Sequence, residues 1–136
     1  LEQVGDLAYE SSYKNIKVVV PDSPHLLLDV KGYAMGFTHG HLTAGGGTPA
    51  KKIENWWKGQ MYGLNEAGDN PVGVARMIVH GHYHHFTAVQ QGGRTIMGVP
   101  AMSPSDDFQT RTGYSTSMGV VTMTVTKDGW DNLKIL

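Results

Sequence analysis

The chain has 136 residues, 40% of them hydrophobic, and its 11 lysines and arginines nearly balance 12 acids. This composition suits one globular domain over residues 1–136, and the lack of like-charge runs gives no electrostatic case for duplex DNA as an obligate partner. The absence of cysteine excludes a disulfide framework, a thiolate metal site and a cysteine nucleophile. Because neither a signal peptide nor an apolar run of membrane-spanning length occurs, we expect a soluble, cytoplasmic protein.

The first half of the chain predicts strands around two helices. In chain order, the elements are a short helix at Val4–Tyr13, a strand at Ile16–Val20, a hairpin of His25–Val30 and Tyr33–Phe37 around Lys31-Gly32, and a helix at Pro49–Met61. Thr48 offers a capping hydroxyl before a proline at the first helical position, which is the usual beginning of a helix. The bulky side chains of this helix recur at helical spacing, and its tryptophans are best explained as packing residues.

The second half predicts short strands and turns. Asn65–Pro71 is expected to be a loop, followed by a strand at Val74–Val79, a hairpin of Phe86–Gln90 and Thr95–Val99, a polar loop over Ser103–Thr116, and paired strands at Met118–Thr126 and Trp130–Ile135. The whole pattern favours a β-rich α/β fold.

Six of the seven histidines fall into two clusters, one at Thr38-His39-Gly40-His41 and one at His80-Gly81-His82-Tyr83-His84-His85. Both clusters come where a predicted strand ends, which is where α/β folds place their chemistry. A His-x-His pair can direct two imidazoles at one metal ion, or at two bridged ions, and an adjacent glycine lets the backbone approach closely. We therefore predict metal-binding roles for His39, His82 and His84.

The other histidines have simpler explanations. His25 starts a strand and is expected to be a surface or hairpin histidine, whereas His80 ends an apolar strand and is expected in the core. For His85, a position lining the site and a position facing solvent are weighted equally.

Two motifs of the chain resemble those of calcineurin-like metallophosphoesterases. Gly36-Phe37-Thr38-His39-Gly40-His41 is similar to that family's penultimate motif, and Ile78-Val79-His80-Gly81-His82-Tyr83-His84 is similar to its final Gly-His-x-His motif. Gly98–Pro104 stands where the family returns to its site with an Asn-Pro-Gly-Ser-like loop. The order and the spacing of the motifs agree over residues 16–135.

The resemblance implies the C-terminal half of a layered αββα sandwich and a centre of two divalent metal ions, manganese, zinc, iron or nickel. His39 and His82 would bind one ion and His84 the other. His41 and His85 receive no ligand role and are kept, with Arg111, as substrate-side candidates. Arg94 and Arg111 could meet phosphate, although solvated surface charge explains each of them better. No residue of this chain is assigned as catalytic.

The family's earlier motifs, Asp-x-His, Gly-Asp-x-x-Asp and Gly-Asn-His, do not occur in this sequence. We therefore expect the chain to be the C-terminal portion of a longer enzyme that hydrolyses phosphomonoesters or phosphodiesters, and to be nearly inactive alone. Expected partners are a phosphate-ester substrate, including nucleotides or nucleic acid, and a second copy in a homodimer. The alternative is a non-catalytic binding or assembly module whose histidine site holds one metal ion or none.

Overall fold

The structure, a computed structural model, describes residues 15, 23–43, 45–62, 71–103, 110–111, 113 and 117–136. The helix and strand predicted at Val4–Tyr13 and Ile16–Val20 lie outside these residues, as does most of the Asn65–Pro71 loop. The elements in chain order are β1 (His25–Val30), β2 (Tyr33–Thr38), α1 (Pro49–Tyr62), a 3-10 turn (Pro71–Val74), β3 (Met77–His80), β4 (Thr87–Gln91), β5 (Arg94–Gly98), β6 (Val121–Thr126) and β7 (Gly129–Ile135).

Five of the strands form one mixed sheet in the order β1-β2-β3-β5-β4. The central strands β2, β3 and β5 are parallel, and antiparallel hairpins add β1 and β4 at the two edges. Lys31 and Gly32 both have positive φ, as do Gly92 and Gly93. Two such residues in succession form the tight turn that suits the twist of a hairpin, so these turns set the register of both edge strands.

Helix α1 covers one face of the sheet. Its Ile53 and Trp57 are buried in a cluster with Ile78 of β3 and Ile96 of β5. The hydroxyl of Thr48 accepts a hydrogen bond from the amide of Lys51 at 3.3 Å, which confirms the predicted helix cap. The helix therefore begins where the sequence predicts and ends one residue later.

The ribbon of β6 and β7 covers the other face, where a second cluster buries Tyr33, Met35, Met77 and Met97. The side chains of β6 alternate between half-buried and exposed, as expected of a strand with one face on a core. The molecule is thus layered as helix, five-stranded sheet and two-stranded ribbon, which confirms the predicted β-rich α/β class. Within the described part of the chain, no helix is long and apolar enough to cross a membrane.

Two predicted strands and one predicted loop differ from the structure. The expected strand Val74–Val79 begins only at Met77, because Pro71–Val74 forms a 3-10 turn whose Val72 is fully buried beneath α1. The expected strand Met118–Thr126 begins at Val121. In the segment expected to be a polar loop, Thr110 and Arg111 are helical and exposed.

Candidate metal centre

The sheet brings the two histidine clusters together at the C-terminal ends of its parallel strands. Strands β2 and β3 are parallel neighbours, and their last residues, Thr38 and His80, are partners in the register. His39 follows the first strand directly, and His82 follows the second after Gly81. The amide of Gly81 donates to the carbonyl of Thr38 at 3.4 Å. The parallel pairing therefore continues into the loops that carry the imidazoles.

Three imidazoles lie close together at this end of the sheet. The ring centroids of His39 and His82 are 5.1 Å apart, those of His39 and His41 are 4.9 Å apart, and those of His41 and His82 are 6.4 Å apart. All three residues are exposed. We call these residues, His39, His41 and His82, the histidine triplet. The structure thus places two of the three predicted ligands together and adds His41, which the resemblance leaves without a ligand role.

The turn that carries His39 and His41 depends on Gly40. Its φ is +93°, a value that side chains with a Cβ rarely adopt, and a Cβ there would meet the Gly81 carbonyl at 3.5 Å. The hydroxyl of Thr43 donates to the Gly40 carbonyl at 2.8 Å and lies 3.3 Å from the phenol oxygen of Tyr83. One threonine therefore closes the first loop and ties it to the second.

The second loop holds several residues in unusual conformations. His82 and His84 have φ of +68° and +58°, the left-handed region that non-glycine residues occupy at a cost of about 1 kcal/mol or more. The carbonyl of Tyr83 accepts a hydrogen bond from Nδ1 of His85 at 2.8 Å. The side chain of His84 is half-buried. Such strain is typical of loops whose side chains are held for a function.

Burial and neighbouring charges favour the neutral form of the His82 imidazole. Partial burial lowers the pKa of His82 below the ordinary histidine value, and electrostatic repulsion from the neighbouring histidines and from Lys52 adds to this shift. A neutral imidazole has a free lone pair, which is the form that binds metal ions. The crowding of these rings therefore disfavours protonation and leaves a lone pair for a cation.

His80 is a core residue, as the sequence predicts. It is 2% exposed, and burial lowers its pKa despite the hydrogen bond from its Nδ1 to the Gly81 carbonyl at 3.0 Å. The same bond fixes the peptide that leads into His82. His25 is the first residue of the β1–β2 hairpin, which agrees with the hairpin alternative; it is half-buried and packs its ring edge-on against Trp56, with ring centroids 5.6 Å apart.

The two arginines predicted as possible phosphate contacts, Arg94 and Arg111, lie in different surroundings. Arg94 lies at the start of β5, at the end of the sheet opposite the histidines, where its guanidinium donates to the Gly73 carbonyl at 3.0 Å and lies over the Trp57 ring. That position explains Arg94 as a packing residue. Arg111 is exposed, and its role toward substrate stays a prediction.

A recess of about 500 Å³ opens beside His39. Its walls are mostly apolar and include Pro24, His25, Leu26, Phe37, Val79 and Val99, together with the strand ends at Thr38, His80 and Gly81. Space of this size beside exposed imidazoles is the arrangement expected of a small-molecule site.

The histidine triplet fits only part of a two-metal centre. Within residues 23–43, 45–62, 71–103 and 117–136, no three His, Asp or Glu side chains are already arranged around one point as metal ligands. Imidazoles suit zinc, manganese, iron and nickel, but a bridged pair of ions also needs carboxylate ligands. The described residues therefore supply imidazoles to such a centre without completing it.

Solved structures share this architecture at low sequence identity. A single-mutant form of Vps29 from Entamoeba histolytica superposes with a TM-score of 0.54 at 10% identity, over 84% of this chain and 60% of that one. Wild-type Vps29 from the same organism, complexed with zinc, gives 0.55 at 11% identity, over 82% and 58%. The chain has the metallophosphoesterase-like fold of these proteins. It spans about three-fifths of their length.

A weaker likeness is to a predicted phosphoesterase from Streptococcus pneumoniae, with a TM-score of 0.46 at 14% identity, over 78% of this chain and 48% of that one. No protein-family model and no curated protein sequence matches the chain. Likenesses at these identities establish the fold alone and do not assign the chemistry of the site.

Proposed function

We propose that this chain supplies histidine ligands to the metal centre of a phosphoesterase, which hydrolyses phosphomonoesters or phosphodiesters. The observation that carries the proposal is the meeting of His39 and His82. These residues come from two separate motifs, yet their rings lie 5.1 Å apart at one edge of a metallophosphoesterase-like sheet. A chance pair of surface histidines has no reason to satisfy both the motif order and the geometry.

In this proposal His39 and His82 hold one divalent ion and His84 holds a second. When bound, such ions stabilise the charge that develops on the phosphoryl oxygens during hydrolysis. The chain's own contribution is positioning. Gly40 supplies the positive φ of the turn between His39 and His41, and the exposed His39 imidazole lines a recess that admits an ester. His41, His85 and Arg111 remain candidates for contact with the phosphate.

The full reaction needs ligands beyond those in the described residues. We therefore propose that the chain alone hydrolyses esters poorly, and that a segment carrying Asp-x-His, Gly-Asp-x-x-Asp and Gly-Asn-His motifs completes the centre. By analogy with the family that the motifs resemble, nucleotides and nucleic acid are among the candidate phosphate-ester substrates. A homodimer of this chain stays a prediction.

The test compares two polypeptides, the 136-residue chain and the product of the complete reading frame that encodes it, including any residues before Leu1. Each is assayed with bis(4-nitrophenyl) phosphate and Mn²⁺. We expect hydrolysis by the complete product and little by the chain. His39→Ala and His82→Ala in the complete product should each lower kcat/KM on the order of 100-fold or more, since even the outer partners of metal ligands are worth about 10–100-fold.

Lys134→Ala is the control, because it removes an exposed side chain of β7 that lines neither the histidine triplet nor the recess. Hydrolysis that survives both His39→Ala and His82→Ala would contradict the proposed roles. A reading frame without the three motifs, together with no hydrolysis, would favour the second candidate function, a non-catalytic binding or assembly module. The observation favouring that candidate is the absence of a preformed three-ligand group among the described residues.

A further inference from the structure

The Nδ1 atoms of His39 and His41 lie 3.1 Å apart. Without a cation, two neutral imidazoles at this distance share one proton, since one ring donates its N–H to the lone pair of the other. The two nitrogens therefore already point at a common space. This contact lies entirely within one loop of the chain.

The distance also suits two ligands of one metal ion. With metal–nitrogen bonds of about 2.0–2.1 Å, neighbouring nitrogens are about 3.3–3.4 Å apart in tetrahedral geometry and about 2.9 Å apart in octahedral geometry. The observed 3.1 Å lies between these values. A cation that replaces the shared proton would require only a small movement of either ring.

Local structure holds this pair in place. Gly40 supplies the positive φ that folds His41 back toward His39, its amide lies 3.3 Å from the Thr38 hydroxyl, and its carbonyl accepts from Thr43. The Nδ1 atoms of His39 and His41 are therefore held close together by contacts within residues 38–43 alone.

His82 is the nearest third imidazole. Its ring meets that of His39 edge-on, at an interplanar angle of 84°, so its nitrogens are not yet directed at the shared space. The side chain is exposed, and a rotation of its ring is the change needed to add it as a third ligand.

We propose that His39, His41 and His82 form a site for a single zinc-like divalent ion within this chain. His39 and His41 bind through Nδ1, His82 turns to complete the set, and a fourth position faces solvent. This inference goes beyond the proposed function, because it adds His41 to the ion that His39 and His82 bind, leaves His84 out of the site and requires no other segment. Imidazole ligands suit Zn²⁺ and its spectroscopic substitute Co²⁺.

The experiment titrates the 136-residue chain with Co²⁺, followed by visible absorption, and then displaces Co²⁺ with Zn²⁺ in a calorimeter. We expect one ion per chain. His41→Ala and His39→Ala should each weaken binding at least about 10-fold, the lower limit for loss of a partner in a metal site. His41→Gln should give the same loss, because it keeps a polar side chain but offers no imidazole nitrogen. His25→Ala should bind as the parent chain does.

Nitrogen chemical shifts of the imidazoles give a second readout, and added Zn²⁺ should move Nδ1 of His39 and His41 more than Nε2. Retention of binding by His41→Ala would overturn the proposal, as would loss of binding in His84→Ala alone or failure of Co²⁺ and Zn²⁺ to bind. Since no ester is involved, these outcomes are separate from the hydrolysis test of the proposed function.

Discussion

At the scale of single residues, Gly98 decides how three strands meet beneath the histidine loops. The register places it between His80 of β3 and Thr87 of β4, so all three share one face of the sheet. Nε2 of His80 and the hydroxyl oxygen of Thr87 are buried without a hydrogen-bond partner among the described residues. The missing side chain of Gly98 is what leaves room for both polar groups.

We expect Gly98→Ala to destabilise the fold. A Cβ at this position would lie 2.6 Å from the Thr87 hydroxyl oxygen and 3.1 Å from Cε1 of His80. Overpacking of this kind costs about 1–3 kcal/mol. Urea unfolding followed by circular dichroism measures the loss, with Gly46→Ala as the control because nothing lies within 4 Å of a Cβ there. Equal unfolding midpoints for the two variants would contradict this account.

At the scale of elements, helix α1 combines a good start with a weak interior position. Glu54 pairs with Lys51 at 3.0 Å and also with Lys58, both within the helix. The indole N–H of Trp57 donates to the Val72 carbonyl at 3.0 Å, which joins the helix to the 3-10 turn. The weak position is Gly59, an exposed glycine within the helix.

Gly59→Ala should stabilise the protein by about 0.5–1 kcal/mol, because glycine in a helix interior loses more backbone entropy than alanine on folding. An added Cβ at this position would have no neighbour within 4 Å. The thermal midpoint should rise accordingly. Gly47→Ala is the matched control of opposite sign, since Gly47 has a φ of +105°. A lower midpoint for Gly59→Ala would show that this turn of the helix is not solvent-facing.

The sequence predicts most elements, because local chemistry decides them. The Thr48-Pro49 start of α1 and the Lys31-Gly32 turn act through contacts a few residues away, and both were predicted correctly. Val72 and Val74 have the β-branched side chains typical of strands, but burial of Val72 under Trp57 holds the backbone in a 3-10 turn. That choice depends on a tertiary contact that no local pattern contains.

Part of the candidate site can be predicted from local sequence, and part of it depends on the three-dimensional structure. The motif pattern identifies His39 and His82, because strand ends and glycines are visible in the sequence. The 3.1 Å contact between His39 and His41 depends on the φ of Gly40 and on side-chain rotamers. A His-x-His spacing around glycine makes that contact feasible without specifying it.

At the scale of the whole molecule, a few long-range contacts join the ribbon to the sheet. The indole N–H of Trp130 donates to the Thr95 hydroxyl at 3.3 Å. The guanidinium of Arg76 donates to the carbonyls of Lys127 and Asp128 at 2.9 and 3.2 Å and lies over the Tyr33 ring. These contacts connect residues far apart in the chain and close the second core cluster.

Trp130→Ala should therefore destabilise the whole protein by about 2–3 kcal/mol, somewhat less than the cost of removing a fully buried ring. Trp130→Phe should cost about 1 kcal/mol, because it keeps a ring in the cluster and loses only the bond to Thr95. Urea unfolding of the two variants measures the difference. If both variants had the same stability, packing of the ribbon on the sheet would not support the fold.

The parallel pairing of β2 with β3 also has a kinetic consequence. The histidine triplet lies at the C-terminal ends of β2 and β3, the two strands that the crossover containing α1 connects, so the rings of His39 and His82 meet only after this long-range pair has formed. A cation held there must leave before the two strands can separate. It would then act mainly on the unfolding rate, and the ion would set how long the native state lasts rather than how fast it is reached.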